Sequence, residues 1–358
     1  MSGNLKDSDI RSGPNRYVSF PGAAKDIESY ITEYGSPLVI TGDLSKQAFT
    51  RCSGHEITFP YIQYDGSVAR RNAEELSESP IAKKSNIIIA IGAGRVSDTA
   101  KNVAAILHRD LIIIPTLAAT CAAYSAVSIN YDEHHAYEAS VLHERTSDLV
   151  LVDPLLIATG PRKYLLGGIG DTLAKYYESA PVFARLGELR PLSKLAQSAA
   201  VLIHDTLLKE SVPALNEYDK NLVGKHFHAL VDTIIALGGS VSAFGGVPAR
   251  ASGAHTIHDG LTLIPESKLT THGAKVAYGV IIQLITEGKN LEVESLLPFY
   301  QSVGLPHTFR QLGIPFNDNT IRIVSDFAVG QKSRYRLAVP DITSSQIADA
   351  IVTAERLY

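Results

Sequence analysis

One carboxylate and three imidazoles stand out among the residues able to do chemistry. Asp171 lies in GGIGDTLAK (167–175), His255 and His258 in GAHTIHDGLT (253–262), and His272 in THGAKVAYG (271–279). Asp171, His255 and His272 would together offer one carboxylate and two imidazoles, with room for a substrate oxygen. That set suits Zn²⁺ in an open catalytic site, and Fe²⁺ as well. The residues alone leave alternatives open. Asp171 follows three glycines and precedes an apolar run, so it can equally cap a helix N-terminus. His258 shares a helical face with His255 and can relay a proton, support its neighbour or simply pack. His226 and His228, two apart on a helix, face different ways, and His134 and His135 sit in a polar hairpin tip.

A second constellation is IIIAIGAGRVSDTAK (87–101), a tight turn at Gly92-Ala93-Gly94 between a strand and a helix. Glycines there let backbone N–H groups approach an anion, and the helix N-terminus adds a favourable field for phosphate. A plain strand–helix turn explains the same glycines. Asp43, closing the strand VITGD, could accept hydrogen bonds from an adenosine ribose and repel a 2′-phosphate, or it could be an ordinary turn residue.

These residues need elements to carry them. PLVITGD (37–43), NIIIAIG (86–92), DLIIIPT (110–116) and DLVLVDP (148–154) read as strands, and RVSDTAKNVAAILH as a helix between the middle two. Nearly continuous apolar strands separated by helices imply a parallel sheet covered on both faces. SINYDEHHAYE reads as a hairpin. Beyond residue 160 the strand signals stop, and apolar spacings of three and four residues indicate helices. The expected architecture is a Rossmann-like α/β dinucleotide-binding domain, residues 1–160, followed by an all-helical metal- and substrate-binding domain, residues 161–358.

Composition bounds the rest. At 358 residues the chain exceeds the roughly 250–300 at which single cores stop growing. A net charge of −4 argues against nucleic acid as the main partner. Cys52 and Cys121 cannot build a disulfide framework, and the polar N-terminus lacks a signal-peptide core, so a cytoplasmic location is expected. The uncharged stretch 111–129 is broken by Pro115 and rich in Thr and Ser. It reads as a buried strand and loop, and no membrane segment is expected.

The chain resembles the iron-containing alcohol dehydrogenases, in their glycerol dehydrogenase and hydroxycarboxylate dehydrogenase branch, which share a fold with 3-dehydroquinate synthase. GAGRVSDTAK stands for the family's GGGxxxDxAK. PTLAAT, SAVSINY, GIGDTLAKYYE, AHTIHDGLT and HGAKVAYG come after it in the family's order. The resemblance implies that Asp171, His255 and His272 bind the catalytic metal, zinc or alternatively iron, which displaces the capping reading of Asp171. His255, with His258 as a candidate relay, would be catalytic. The resemblance also implies NAD, with NADP possible, contacted by Asp43, Gly92, Gly94, Arg95, Val96, Ser97, Asp98, Thr116, Leu117, Ala118, Ala119, Ser125, Val127 and Tyr131. An acid at position 43 goes with NAD, and the family commonly forms homo-oligomers.

Departures bear on substrate. Cys121 stands where glycerol dehydrogenases carry an Asp for a polyol hydroxyl, so with His255 it would line a pocket better suited to a 2-oxo acid. Losing that acceptor should weaken polyol binding by about 1–3 kcal/mol. Ala93, Asp259 and Ala274 replace a Gly, an Asn and a Glu of the family pattern without removing a proposed ligand. A lyase or phosphopolyol dehydrogenase of the same fold would want more basic residues than Lys268 and Lys275, the two found between Gly253 and Gly279. A non-catalytic metabolite-binding relative would be expected to have lost a ligand.

Overall fold

The computed structural model of the chain describes residues 10–32, 34–66, 70–131, 137–250, 252–331 and 333–357. Its centre is a six-stranded sheet, entirely parallel, built from β1 (Arg16–Ser19), β2 (Pro37–Thr41), β3 (Tyr61–Gln63), β4 (Ile87–Gly92), β5 (Asp110–Pro115) and β8 (Leu149–Val152). The spatial order is β1-β8-β5-β4-β2-β3. Every residue of β4 and of β8 is buried, as expected of isoleucine- and valine-rich strands covered on both faces. The two edge strands, β1 and β3, are additional to the four read from sequence. They are short and partly exposed, so their sequences carry little apolar signal.

A separate antiparallel pair, β6 (Val127–Tyr131) and β7 (Tyr137–Leu142), forms the arms of the hairpin. The tip, with His134 and His135, lies outside the described residues. The apolar stretch 111–129 is β5 followed by a largely buried loop into β6, in agreement with the sequence reading. Among the described residues every strand precedes residue 153, and the regular elements beyond it are helices. One stretch, Lys225–Gly245, is long and apolar enough to cross a membrane by composition alone. More than half of it is buried in the protein core. It contains a π-turn at Thr233–Leu237, one residue wider per turn than the helix on either side.

The glycine run before Asp171 does not start a helix. Arg162–Arg185 is one continuous helix of 24 residues with Gly167, Gly168 and Gly170 in its interior. Interior glycine costs about 1 kcal/mol of helix propensity relative to Ala. Here that cost is offset by close packing against a second helix, His272–Thr286. A Cβ on Gly170 would come within 2.5 Å of the Gly273 carbonyl oxygen, and one on Gly273 within 1.8 Å of the Gly167 carbonyl oxygen. The two backbones therefore touch directly, which brings Asp171 to the first residue of the second helix, His272.

Candidate metal centre and cofactor edge

Three helices meet at Asp171. His255 is carried by Gly253–Leu261, His272 opens His272–Thr286, and Asp171 sits mid-way along Arg162–Arg185. The His255 Nε2 atom lies 3.2 Å from Asp171 Oδ1, and His272 Nε2 lies 3.0 Å from the same oxygen. One donor atom from each residue falls within 4.8 Å of the other two. The His272 side chain is 34% exposed while that of Asp171 is 4% exposed, so the cluster opens to solvent on the His272 side.

The outer nitrogens of both imidazoles are held. His255 Nδ1 is 2.6 Å from Glu178 Oε2, and Glu178 also accepts the backbone N–H groups of Ser252 and His255. His272 Nδ1 is 2.9 Å from His258 Nε2, and His258 Nδ1 is 3.0 Å from Asp259 Oδ1. Burial, with the nearby His272, pushes His258 down to about 3, so its ring is neutral. A neutral His258 that donates from Nδ1 to Asp259 must accept at Nε2 from His272 Nδ1–H. Nε2 is then the nitrogen from which His272 gives up a proton to a cation, and Glu178 imposes the same choice on His255. Both Nε2 atoms thus face the Asp171 carboxylate, and each can exchange its proton for a divalent cation while its other nitrogen stays held.

The electrostatics agree with that arrangement. Burial would raise the Asp171 carboxyl, but Lys175 and the two imidazoles outweigh it and hold it well below the ordinary carboxylate range. Burial likewise opposes charge on His255, yet Glu178 and Asp171 prevail and raise it to about 9, so its Nε2 keeps a proton for Asp171 until a cation takes that place. Positive charge between the three is therefore favoured. Glu178 and Lys175 escaped the sequence reading, although both stand in the motif quoted for Asp171. Their signal is periodicity: polar residues at positions +4 and +7 from Asp171 lie on one face of an otherwise apolar helix.

The cofactor residues read from sequence gather at the carboxyl edge of the sheet, where open α/β sheets bind ligands. Gly92 ends β4, and a Cβ there would come within 2.6 Å of the Val96 Cβ. The helix Gly94–Leu107 starts with no side-chain cap, leaving its first-turn N–H groups, at Gly94 and Arg95, for an anion. Val96 and Ser97 are buried in that first turn. Asp43 is exposed at the start of the helix Asp43–Ser53, directly after β2. Thr116, Leu117, Ala118 and Ala119 come after β5, with the Thr116 hydroxyl 3.4 Å from that of Ser45. The Ser125 hydroxyl accepts the Val127 N–H, and Tyr131 ends β6 within electrostatic reach of both Asp98 and Asp171.

Asp98 faces inward. One carboxylate oxygen pairs with Lys101 Nζ at 3.0 Å and the other accepts the Ile129 N–H. Lys101 also donates to the carbonyl oxygens of Ala122 and Val127. In this geometry Asp98 and Lys101 brace the loop that runs from β5 to β6. Cys121 is buried in that loop, with its Cβ 3.3 Å from where a Cβ on Gly238 would stand. Burial pushes its thiol up, partly opposed by Lys175. His226 and His228 lie elsewhere, against Glu210 and against Ser19 respectively.

Comparison with known proteins gives this geometry its context. A sequence profile for iron-containing alcohol dehydrogenase matches residues 14–154. Hydroxycarboxylate dehydrogenase A of Escherichia coli is 32% identical over 316 residues, 86% of each chain. Glycerol dehydrogenase of Thermotoga maritima is 29% identical over 363 residues, 96% of each chain. The crystal structure of glycerol dehydrogenase from Schizosaccharomyces pombe superposes with a TM-score of 0.86 at 24% identity, covering 97% of this chain and 90% of that one. That last likeness speaks to the fold, and it includes the parallel sheet and the helical second half. With a nearly full-length relative above 30% identity and the three-ligand cluster in place, the chain belongs to the iron-containing alcohol dehydrogenase family.

Proposed function

We propose that this metal-dependent oxidoreductase exchanges hydride between NAD(H) and a small 2-hydroxy acid or its 2-oxo partner, with a polyol such as glycerol as the second reading. The observation that carries the proposal is that Glu178 and His258 hold the outer nitrogens of His255 and His272, so that both Nε2 atoms face one buried carboxylate. In this reading residues 1–160 hold the cofactor and residues 161–358 the metal and substrate. Asp171, His255 and His272 hold Zn²⁺, or alternatively Fe²⁺, and the uncapped helix start at Gly94 holds the pyrophosphate. When bound, the cation polarises the substrate oxygen and the nicotinamide gives or takes the hydride.

The chain's own residues do the positioning. Glu178 keeps His255 facing the centre, and His258 with Asp259 does the same for His272. The Asp98–Lys101 pair fixes the loop from Thr116 to Val127, and Cys121 in that loop walls the substrate space without offering a carboxylate to a polyol hydroxyl. Asp43, exposed where an adenosine ribose would sit, favours NAD over NADP. A cytoplasmic, homo-oligomeric enzyme is the expected setting. The exposed Leu192, Leu195 and Leu202 on the helix Pro191–Asp219 support assembly through that helix.

The test is a substrate screen. Chelator-stripped protein should be inactive, and Zn²⁺ or Fe²⁺ should restore oxidation of NADH with 2-oxo acids more than with dihydroxyacetone. Full activity without metal would overturn the proposal, as would silence toward every carbonyl tried with either reduced cofactor.

A further inference from the structure

The short supply of basic residues between Gly253 and Gly279 is made good from outside that window. Lys175 lies one helical turn beyond Asp171, and its Nζ is 3.5 Å from the carbonyl oxygen of Arg250. Arg334 brings Nη2 within 3.9 Å of Asp259 Oδ2, whose other oxygen meets His258. Burial, together with Arg11 and Arg334 as charged neighbours, presses the Arg250 guanidinium below its usual value. Lys175 and Arg334 thus bring cations to the Asp171 cluster, and Arg250 lies within electrostatic reach of Arg334.

These cations are not equally compensated. Lys175 is buried within reach of Asp171 and Glu178. Arg334 has Asp259. Arg250 has neither: the charges acting on it are other arginines, and its Nε is sealed from water without an acceptor. A half-buried guanidinium facing like charges is destabilising unless an anion joins it. What is missing at Arg250 Nε is an acceptor, and a carboxylate oxygen supplies one together with a compensating charge.

We propose that Arg250, with Arg334 beside it, seats the carboxylate of the substrate and so selects 2-oxo and 2-hydroxy acids over neutral polyols at the metal centre. This rests on the dehydrogenase reading above. The planar guanidinium fork matches a carboxylate, and in a 2-oxo acid the carboxylate adjoins the carbonyl to be reduced. Arg250 precedes the His255 helix by three residues, its backbone carbonyl meets Lys175 on the Asp171 helix, and its guanidinium is within electrostatic reach of Arg334, the partner of Asp259.

The matched pair pyruvate and hydroxyacetone differs only in carboxylate against hydroxymethyl. Arg250→Gln should lower the ratio of kcat/KM for pyruvate to that for hydroxyacetone about 30-fold, equivalent to about 2 kcal/mol. Arg250→Lys should recover part of it. An equal loss for both substrates, or no loss, would overturn the assignment. Binding gives a readout independent of turnover. Calorimetry with oxamate on chelator-stripped protein should detect binding to the wild type and at least tenfold weaker binding to Arg250→Gln. Equal affinities would sink the carboxylate seat even if the enzyme is active, whereas a difference in an enzyme without turnover would uphold the seat and discard the dehydrogenase reading. Tighter binding of inorganic phosphate than of oxamate would count against a monoanion site.

Discussion

Glu178 Oε2 stands 2.6 Å from His255 Nδ1, and the opposite nitrogen of that ring faces Asp171 at 3.2 Å. The carboxylate therefore determines which nitrogen of His255 faces inward and gives up its proton to a cation. Glu178→Gln keeps the shape but lets the amide present either donor or acceptor. Metal affinity should fall about 10–100-fold, with the His255→Ala loss being larger still. Competition titration with a chromophoric chelator measures both, and undiminished affinity in Glu178→Gln would remove the tautomer argument.

The backbone contact between the Asp171 and His272 helices gives a stability prediction. Gly273→Ala would put a methyl within 1.8 Å of the Gly167 carbonyl oxygen, so the helices must part. A loss of about 3 kcal/mol is expected in urea denaturation, with metal binding lost alongside. Gly288→Asn, at a left-handed position with open space around it, should cost about 1 kcal/mol or less. Similar costs at the two sites would mean that close approach is not what Gly273 provides.

Asp43→Gly should shift cofactor choice. Removing an exposed acid at the carboxyl edge of β2 relieves repulsion of a 2′-phosphate and forfeits a ribose hydrogen bond. The preference for NADH over NADPH should narrow by about tenfold in kcat/KM, about 1.4 kcal/mol. Steady-state kinetics with both cofactors decides it, and an unchanged ratio would mean that the ribose contacts come from elsewhere.

His143 should make stability depend on pH. Its Nε2 is 2.7 Å from the Ser128 hydroxyl, and burial, aided by Lys101, lowers it from 6.5 to about 4. The unfolded chain therefore binds this proton more readily than the folded one. Its stabilising contribution is complete above pH 6.5, declines as pH falls, and is exhausted near pH 4. With residual solvent access allowed for, the decline amounts to about 2 kcal/mol. Urea midpoints at pH 7 and pH 4.5 should fall further apart in the wild type than in His143→Asn, and identical spacing would refute the assignment.

Much of the fold and of the metal centre is readable from sequence because each motif is local. The β4–helix turn, the loop after β5 and the three ligand segments each occupy about ten consecutive residues, and the buried central strands announce themselves by unbroken apolar runs. The edge strands β1 and β3 do not, since short half-exposed strands need few apolar residues. The glycines before Asp171 resemble a helix boundary because propensity sees the chain alone, whereas their role depends on the helix packed against them. Glu178, Arg250 and Arg334 matter through convergence of segments 70–160 residues apart in the chain, which no local pattern encodes.

The π-turn at Thr233–Leu237 also bears on how this protein tolerates change in length. Deleting a single residue there would let the wider turn close to regular winding and leave Gly238–Gly245 in the same rotational phase, whereas a deletion in the regular helix before it would rotate that segment by about 100°. In the first case Gly238 keeps its place against Cys121 and Gly239 against the Tyr124 ring; in the second both swing away. The surplus residue thus works as slack in the helix that walls the reaction chamber, and loss of one residue in that turn should be far less damaging than loss of one in the regular winding of Lys225–Asp232.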